Sequence, residues 1–142
     1  MVKELPKQVM DLFNDPQSTK VLATKCPNGM LHTVVFGTLA APEPGLLSFG
    51  NIMAKETHQN LQDALKNGGY ASALAIKGMQ AFQVRCKPKE YATSGPVFDV
   101  VNARWQEASK RLGAPIPLLG VWLFEPVEVI DQSAGMSAGK RL

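Results

Sequence analysis

The residues best equipped for chemistry lie in one segment, Asn51-Ile52-Met53-Ala54-Lys55-Glu56-Thr57-His58-Gln59-Asn60-Leu61. Lys55 brings a cation, and Thr57 brings a hydroxyl that can also cap a helix. Both fall where a strand hands over to a helix, so the first-turn N–H groups point outward without partners. That combination suits a phosphate. A capped surface helix with a solvated lysine has the same pattern and is the commoner arrangement. The run Leu31 to Ala40 is a second candidate, because Thr33, Val34, Val35 and Phe36 can pack against a planar ligand and offer it backbone groups. It reads equally well as an ordinary buried strand. Trp105 and Trp122 are large amphipathic rings suited to a core or an interface.

Other chemistries find no support. His32 and His58 are the only histidines, and neither stands at ligand spacing to a cysteine or a carboxylate cluster, so no metal centre is expected. Cys26 and Cys86 form no Cys-x-x-Cys pair and have no histidine neighbour. A nucleophile elbow, a Gly-x-Gly-x-x-Gly turn and a Walker loop are all missing.

The elements that must carry these residues are short and sharply punctuated. A first helix is predicted over Pro6 to Asn14, with Val9, Met10, Leu12 and Phe13 on its apolar side and Asp15-Pro16 as its stop. Lys20 to Cys26 reads as a strand. Pro27-Asn28-Gly29 turns it into the antiparallel strand Leu31 to Ala40, since Asn-Gly tolerates positive φ at both positions. Leu46 to Asn51 is the third strand. Lys55 to Asn67 changes period to a helix with His58, Leu61, Ala64 and Leu65 on one face and Gly68 as its stop. Tyr70 to Ile76 is a fourth strand whose Ala71, Ala73 and Ala75 share one face, flat enough for a bulky group to approach. Met79 to about Tyr91 is a long fifth strand that Pro88 should bulge. Ser94-Gly95-Pro96 opens the longest helix, which carries Val97, Val101, Trp105, Ala108 and Leu112 and ends at Gly113. After Pro115 and Pro117, Leu118 to Asp131 is the sixth strand. The tail from Gln132 is expected to run over the surface.

The chain has 142 residues, 45% apolar and 19% charged, which suits one domain spanning residues 1–142 with a core of its own. The expected class is mainly β (α+β): a six-stranded antiparallel barrel, closed or nearly so, with flanking helices. Six strands enclose too little volume for a ligand, so a cofactor belongs on the outside, where a second subunit would cover it. The net charge of +3 is spread along the chain, which does not indicate a nucleic-acid surface. No apolar run is long enough to span a bilayer, and the first residues lack a signal-peptide core, so a cytoplasmic location is the default.

Taken in order, the strand KVLATKC, the turn and strand PNGMLHTVVFGTL, the segment NIMAKETHQNL, the stretch FQVRCKPKEYATSGPVFD and the end AGKRL resemble the pyridoxamine 5′-phosphate oxidase-like FMN-binding split-barrel family. The resemblance covers nearly the whole chain. It implies FMN at the interface of a homodimer, outside each barrel. Lys55 and Thr57 would hold the phosphate, with Asn51 and Met53 lining the approach. The isoalloxazine ring would lie against Thr33, Val34, Val35 and Phe36. Gln83 and Val84 match fifth-strand positions that face the flavin, and Trp105 and Trp122 would come from the partner subunit.

This chain departs from the family in two places. Lys55-Glu56-Thr57 carries one residue more than the usual Lys-Thr pair, which requires Glu56 to point away from the phosphate. Cys86 stands where a glycine is frequent. The segment that binds pyridoxal phosphate in true oxidases is also missing, so vitamin B6 oxidation is not expected. The resemblance points to a small FMN oxidoreductase or an electron or flavin carrier, with a deazaflavin as a related ligand. A binding module for haem or another planar ligand, with His32 or His58 as axial ligand, is the competing expectation.

Overall fold

The computed structural model describes residues 3–113 and 116–142. Met1, Val2, Ala114 and Pro115, the last one of two prolines expected before the final long strand, lie outside the described residues. The elements in order are α1 (Lys7–Asn14), β1 (Thr19–Lys25), β2 (Leu31–Val35), β3 (Leu39–Glu43), β4 (Leu46–Asn51), α2 (Lys55–Asn67), β5 (Ala71–Lys77), β6 (Gln80–Ala92), α3 (Pro96–Ser109), a 3-10 turn (Lys110–Leu112), β7 (Gly120–Asp131) and β8 (Lys140–Arg141). All strand pairs are antiparallel, and the sheet runs β2-β1-β5-β6-β7-β4-β3, with β8 beside β7.

The strand expected over Leu31 to Ala40 is two strands. Its first half pairs with β1, in register Val34 to Leu22, and its second half pairs with β4, in register Leu39 to Phe49. Phe36, Gly37 and Thr38 form the break between them. Because β2 and β3 lie at opposite ends of the sheet order, this short covalent link bends the sheet round into a split barrel. The count among the described residues is therefore eight strands rather than six, with β8 the second addition. The tail returns to the sheet at β8, which pairs with Ile130 and Asp131, instead of only crossing the surface.

Local chemistry accounts for the rest. Gly29 at φ 89° and the Met30 carbonyl accepting from Cys26 N–H close the first hairpin. Gly68 at φ 72° ends α2 in the left-handed region that favours glycine. The register of β6 on β7 shifts between Pro88 and Glu90, the bulge expected of a proline that cannot donate to the ladder.

The interior is filled by Leu22, Phe49, Val84, Trp122 and Phe124, with Phe13 and Val9 of α1 packed into the same core. Ala71, Ala73 and Ala75 face this interior and are buried there. Their small side chains make room for protein rather than for a ligand, contrary to the sequence expectation. A second cluster, built on Leu46, Leu118, Val121 and Leu123, receives Val97, Val101 and Trp105 of α3.

The buried face of α2 is rotated from the expected one. Thr57, Asn60 and Leu61 are buried, whereas Leu65 is exposed. Asn60 Nδ2 donates to Thr24 Oγ1 at 3.0 Å, which ties α2 to β1 and satisfies a polar group that hydropathy would turn outward. His58 lies against Tyr91 and Trp122, with ring centroids 4.6 and 5.5 Å away, and its Nδ1 accepts from Trp122 Nε1 at 3.0 Å.

Burial holds the His58 imidazole below its ordinary value of 6.5. The unfolded chain therefore takes up this proton before the folded one does. The contribution is complete above pH 6.5 and declines as pH falls from there towards the lower folded value. Thermal unfolding followed against pH is expected to show this decline, and His58→Gln is expected to flatten it within that window.

Candidate functional site

A cavity of about 840 Å³ opens beside the break between β2 and β3. This lies within the size range of small-molecule and cofactor sites. The break itself and β2 form one wall, the β4–α2 junction a second, α3 a third, and α1 with the start of β1 the last. Val35 and Met53, at 64% and 74% exposure, stand among its lining residues and mark its open side.

The β4–α2 junction brings together the groups singled out first. Asn51, buried at the end of β4, accepts from the Ala54 N–H through Oδ1 at 3.1 Å and donates from Nδ2 to the Tyr91 hydroxyl at 3.2 Å. It shapes the turn that aims α2. No side chain caps the N-terminus of α2. Thr57 is 1% exposed, its Oγ1 has no hydrogen-bond partner among the described residues, and it lines the cavity. A buried hydroxyl without a partner is costly, and such groups are uncommon in native folds. Lys55, exposed, stands in the same turn and also lines the cavity.

Glu56 is drawn to the β1–β2 hairpin. Its carboxylate accepts from Cys26 Sγ at 3.3 Å and lies 3.4 Å from His32 Nδ1. This gives the extra residue between Lys55 and Thr57 a place of its own, although Glu56 still borders the cavity.

Of the residues named from sequence, Val34, Val35, Phe36, Met53, Lys55, Thr57 and Trp105 line this one cavity. The others do not. Thr33 is on the exposed side of β2, and Asn51 is behind the junction. Val84 and Trp122 are in the barrel interior at 0% and 1% exposure. Gln83 is on the outer side of β6, where its Nε2 donates to Ser72 Oγ and its Oε1 accepts from Gln132. Trp105 reaches the cavity from its own chain, held by a 2.6 Å hydrogen bond from its Nε1 to the Ile116 carbonyl. Of the two histidines only His32 lines the cavity.

Sequence reading missed Lys20 and Arg104, both of which line the cavity. Alternation along β1 was the available signal for Lys20, because it places that residue on the same face as Leu22 and Thr24. A lysine at a strand start is ordinarily read as solvated. Arg104 offered no signal beyond its neighbour Trp105.

No group of three or more His, Cys, Asp or Glu that would hold a metal is present among the described residues. Cys26 and Cys86 are free thiols, and burial raises Cys86 far above the ordinary thiol range, which leaves it inert as a nucleophile. No described helix is long and apolar enough to cross a membrane.

No protein-family model matches the chain, and no curated protein matches its sequence. Solved structures do match. An FMN-binding protein from Syntrophomonas wolfei subsp. wolfei superposes with a TM-score of 0.74 at 17% identity, covering 89% of this chain and 85% of that one. HupZ of Group A Streptococcus gives 0.72 at 14% identity, covering 95% and 99%. A Clostridium acetobutylicum protein related to general stress protein 26, of the pyridoxinephosphate oxidase family, gives 0.63 at 8% identity, covering 87% and 84%. The agreement extends over whole chains at identities that speak for architecture alone. The chain has the α+β split-barrel fold of the FMN-binding, pyridoxamine 5′-phosphate oxidase-like proteins that its sequence resembles.

Proposed function

We propose that this protein is a flavoprotein that binds FMN in the cavity beside the strand break. On this reading the phosphate sits at the N-terminus of α2 and the ring lies along Val34 to Phe36. The observation that carries it is the Thr57 hydroxyl, buried, unpartnered and lining a cavity at an uncapped helix start. A phosphate oxygen supplies the missing acceptor there, and Lys55 with the helix dipole supplies the charge. FMN, when bound, carries out electron or hydride transfer. The chain's own residues bind and orient it. Phe36, whose ring centroid is 4.3 Å from that of Phe49, stiffens the wall that faces the ring. Lys55 and Thr57 fix the opposite end, and Val101 and Trp105 of α3 help to exclude water.

The open side calls for a second copy of the chain. Leu31 and Val35 on β2 are 81% and 64% exposed, and exposed Met53 also lines the cavity mouth. An apolar stretch of this kind marks an interface. We therefore read the protein as a homodimeric flavin carrier or small FMN oxidoreductase whose site is completed across the two subunits.

Purification and titration test this reading. The protein is expected to take up FMN, turn yellow and bind FMN at least about tenfold more tightly than riboflavin, since one charge-assisted phosphate contact is worth roughly that much. A protein that takes up no added FMN overturns the flavin reading, and equal affinity for riboflavin overturns the phosphate placement. Val35→Glu is expected to yield a monomer by sedimentation and to weaken FMN binding with it. A monomeric parent that binds FMN tightly overturns the shared site.

A further inference from the structure

The end of the cavity away from α2 holds a charge that the flavin reading does not use. Lys20 is only 7% exposed, yet it lines the cavity. Asp15, the carboxylate whose charge reaches Lys20, is committed elsewhere, in a 2.7 Å ion pair with Lys77. Among the described residues Lys20 Nζ has neither a hydrogen bond nor an ion pair of its own. Arg104, on helix α3, is exposed, also lines the cavity and likewise has no ion pair among the described residues. Burial lowers the Lys20 ammonium from its ordinary value. Asp15 opposes that shift in part, and Arg104, a like charge close by, adds to it. A buried ammonium with a like charge nearby costs stability, and an anion bound between Lys20 and Arg104 offsets that cost.

This end is well separated from the phosphate end. The Phe36 N–H donates to the Lys20 carbonyl at 2.9 Å, whereas His32 pairs with Thr24, and Asn60 of α2 bonds to Thr24. From Lys20 to Thr24 the extended strand covers roughly 13 Å. One anionic group cannot satisfy both ends.

We propose that Lys20 and Arg104 form a second anion site in this cavity, which receives the carboxylate or phosphate of a small-molecule substrate. The cation pair is then the specificity element of the site, and substrates lacking an anionic group are rejected because they leave the buried Lys20 charge unpaired. The role as a substrate site rests on the flavin reading, whereas the anion site itself does not.

Benzoate and inorganic phosphate serve as the two probes. They are titrated into the FMN-loaded protein, followed by the flavin absorbance spectrum, and into the protein without FMN, followed by calorimetry. The parent is expected to bind at least one, and the tighter probe identifies the anion as a carboxylate or a phosphate. Lys20→Met and Arg104→Gln are each expected to weaken that probe by about tenfold or more and to leave FMN affinity within about twofold. Lys20→Met is also expected to raise the melting temperature of the ligand-free protein, because it removes an unpaired buried charge. A purely structural lysine would give the opposite sign.

Failure of both probes to bind the parent overturns the proposal. So does a Lys20→Met variant that loses FMN affinity while keeping riboflavin affinity, since that assigns Lys20 to the cofactor phosphate. A lowered melting temperature in Lys20→Met with unchanged probe binding overturns it as well. If the protein takes up no FMN but Lys20→Met still loses the probe in calorimetry, the flavin reading fails and the anion site stands.

Discussion

Replacing Gly120 by alanine is expected to destabilise the protein by about 3 kcal/mol, the upper part of the range for overpacking a filled site. A Cβ at Gly120 would overlap the Tyr91 ring and its hydroxyl. The ring has little room to yield. It lies 4.6 Å from His58 and 5.0 Å from Trp122 by ring centroids, and its hydroxyl accepts from Asn51. Displacing it also frees Asn51, whose other end holds the Ala54 N–H at the start of α2. The damage therefore spreads from a β7 residue to the start of α2 at the cavity. A melting temperature lowered by about 10 °C, together with weaker FMN binding, is the expected pair of results. A variant that melts with the parent would show that Tyr91 moves freely and that the Asn51 bond does not aim the helix.

Thr57→Val is expected to separate stability from binding. Valine keeps the shape of threonine and removes the buried hydroxyl that has no partner. The ligand-free protein is expected to gain about 1 kcal/mol, the low end of what an unsatisfied buried group costs. FMN affinity is expected to fall by about tenfold, because the phosphate loses a hydrogen bond made in a dry setting. Thr57→Ser restores the hydroxyl and is expected to restore most of the binding. Chemical denaturation of the ligand-free protein and a fluorescence titration with FMN measure the two halves. Loss of stability together with unchanged FMN affinity would return Thr57 to the role of an ordinary packed residue.

The parts of this molecule that could be read from sequence are those settled by short-range chemistry. The bounds of β4 and α2 follow from the change of period after Asn51 and from Gly68, and both match the expected Leu46 to Asn51 and Lys55 to Asn67. The turn at Pro27-Asn28-Gly29 and the bulge after Pro88 follow from backbone limits of single residues. The break at Phe36 to Thr38 was not legible, because LHTVVFGTLA is one apolar run and what divides it is a change of pairing partner from β1 to β4. The rotated face of α2 was hidden for a similar reason. Asn60 is a polar residue outside the expected apolar face, and only Thr24 brought beside it makes its burial favourable.

The residues that line the cavity were legible at the start of α2 and along β2, where they are contiguous in sequence. Its far end draws on α1, β1 and α3 at once, and only the folded chain brings Lys20 and Arg104 together. The resemblance to a known family carried Gln83, Val84 and Trp122 onto positions that this chain keeps away from the cavity. Val84 and Trp122 are inward-facing core residues, and Gln83 is tied to Ser72 and Gln132 on the outer surface of β6.

The three residues from Phe36 to Thr38 have one more consequence. A sheet that closes through hydrogen bonds at every step has no vacancy in its wall, and a ligand must then enter its middle or stay on its skin. Here the last step of closure is made by covalent chain instead, between two strand edges that never become neighbours. The absent rungs leave a wedge between β2 and β3, and the cavity, lined by residues of both strands, occupies it. The room for a ligand in this architecture is thus a property of connectivity, fixed before any side chain is chosen. Side chains such as Thr57 and Lys20 determine only what the wedge will accept.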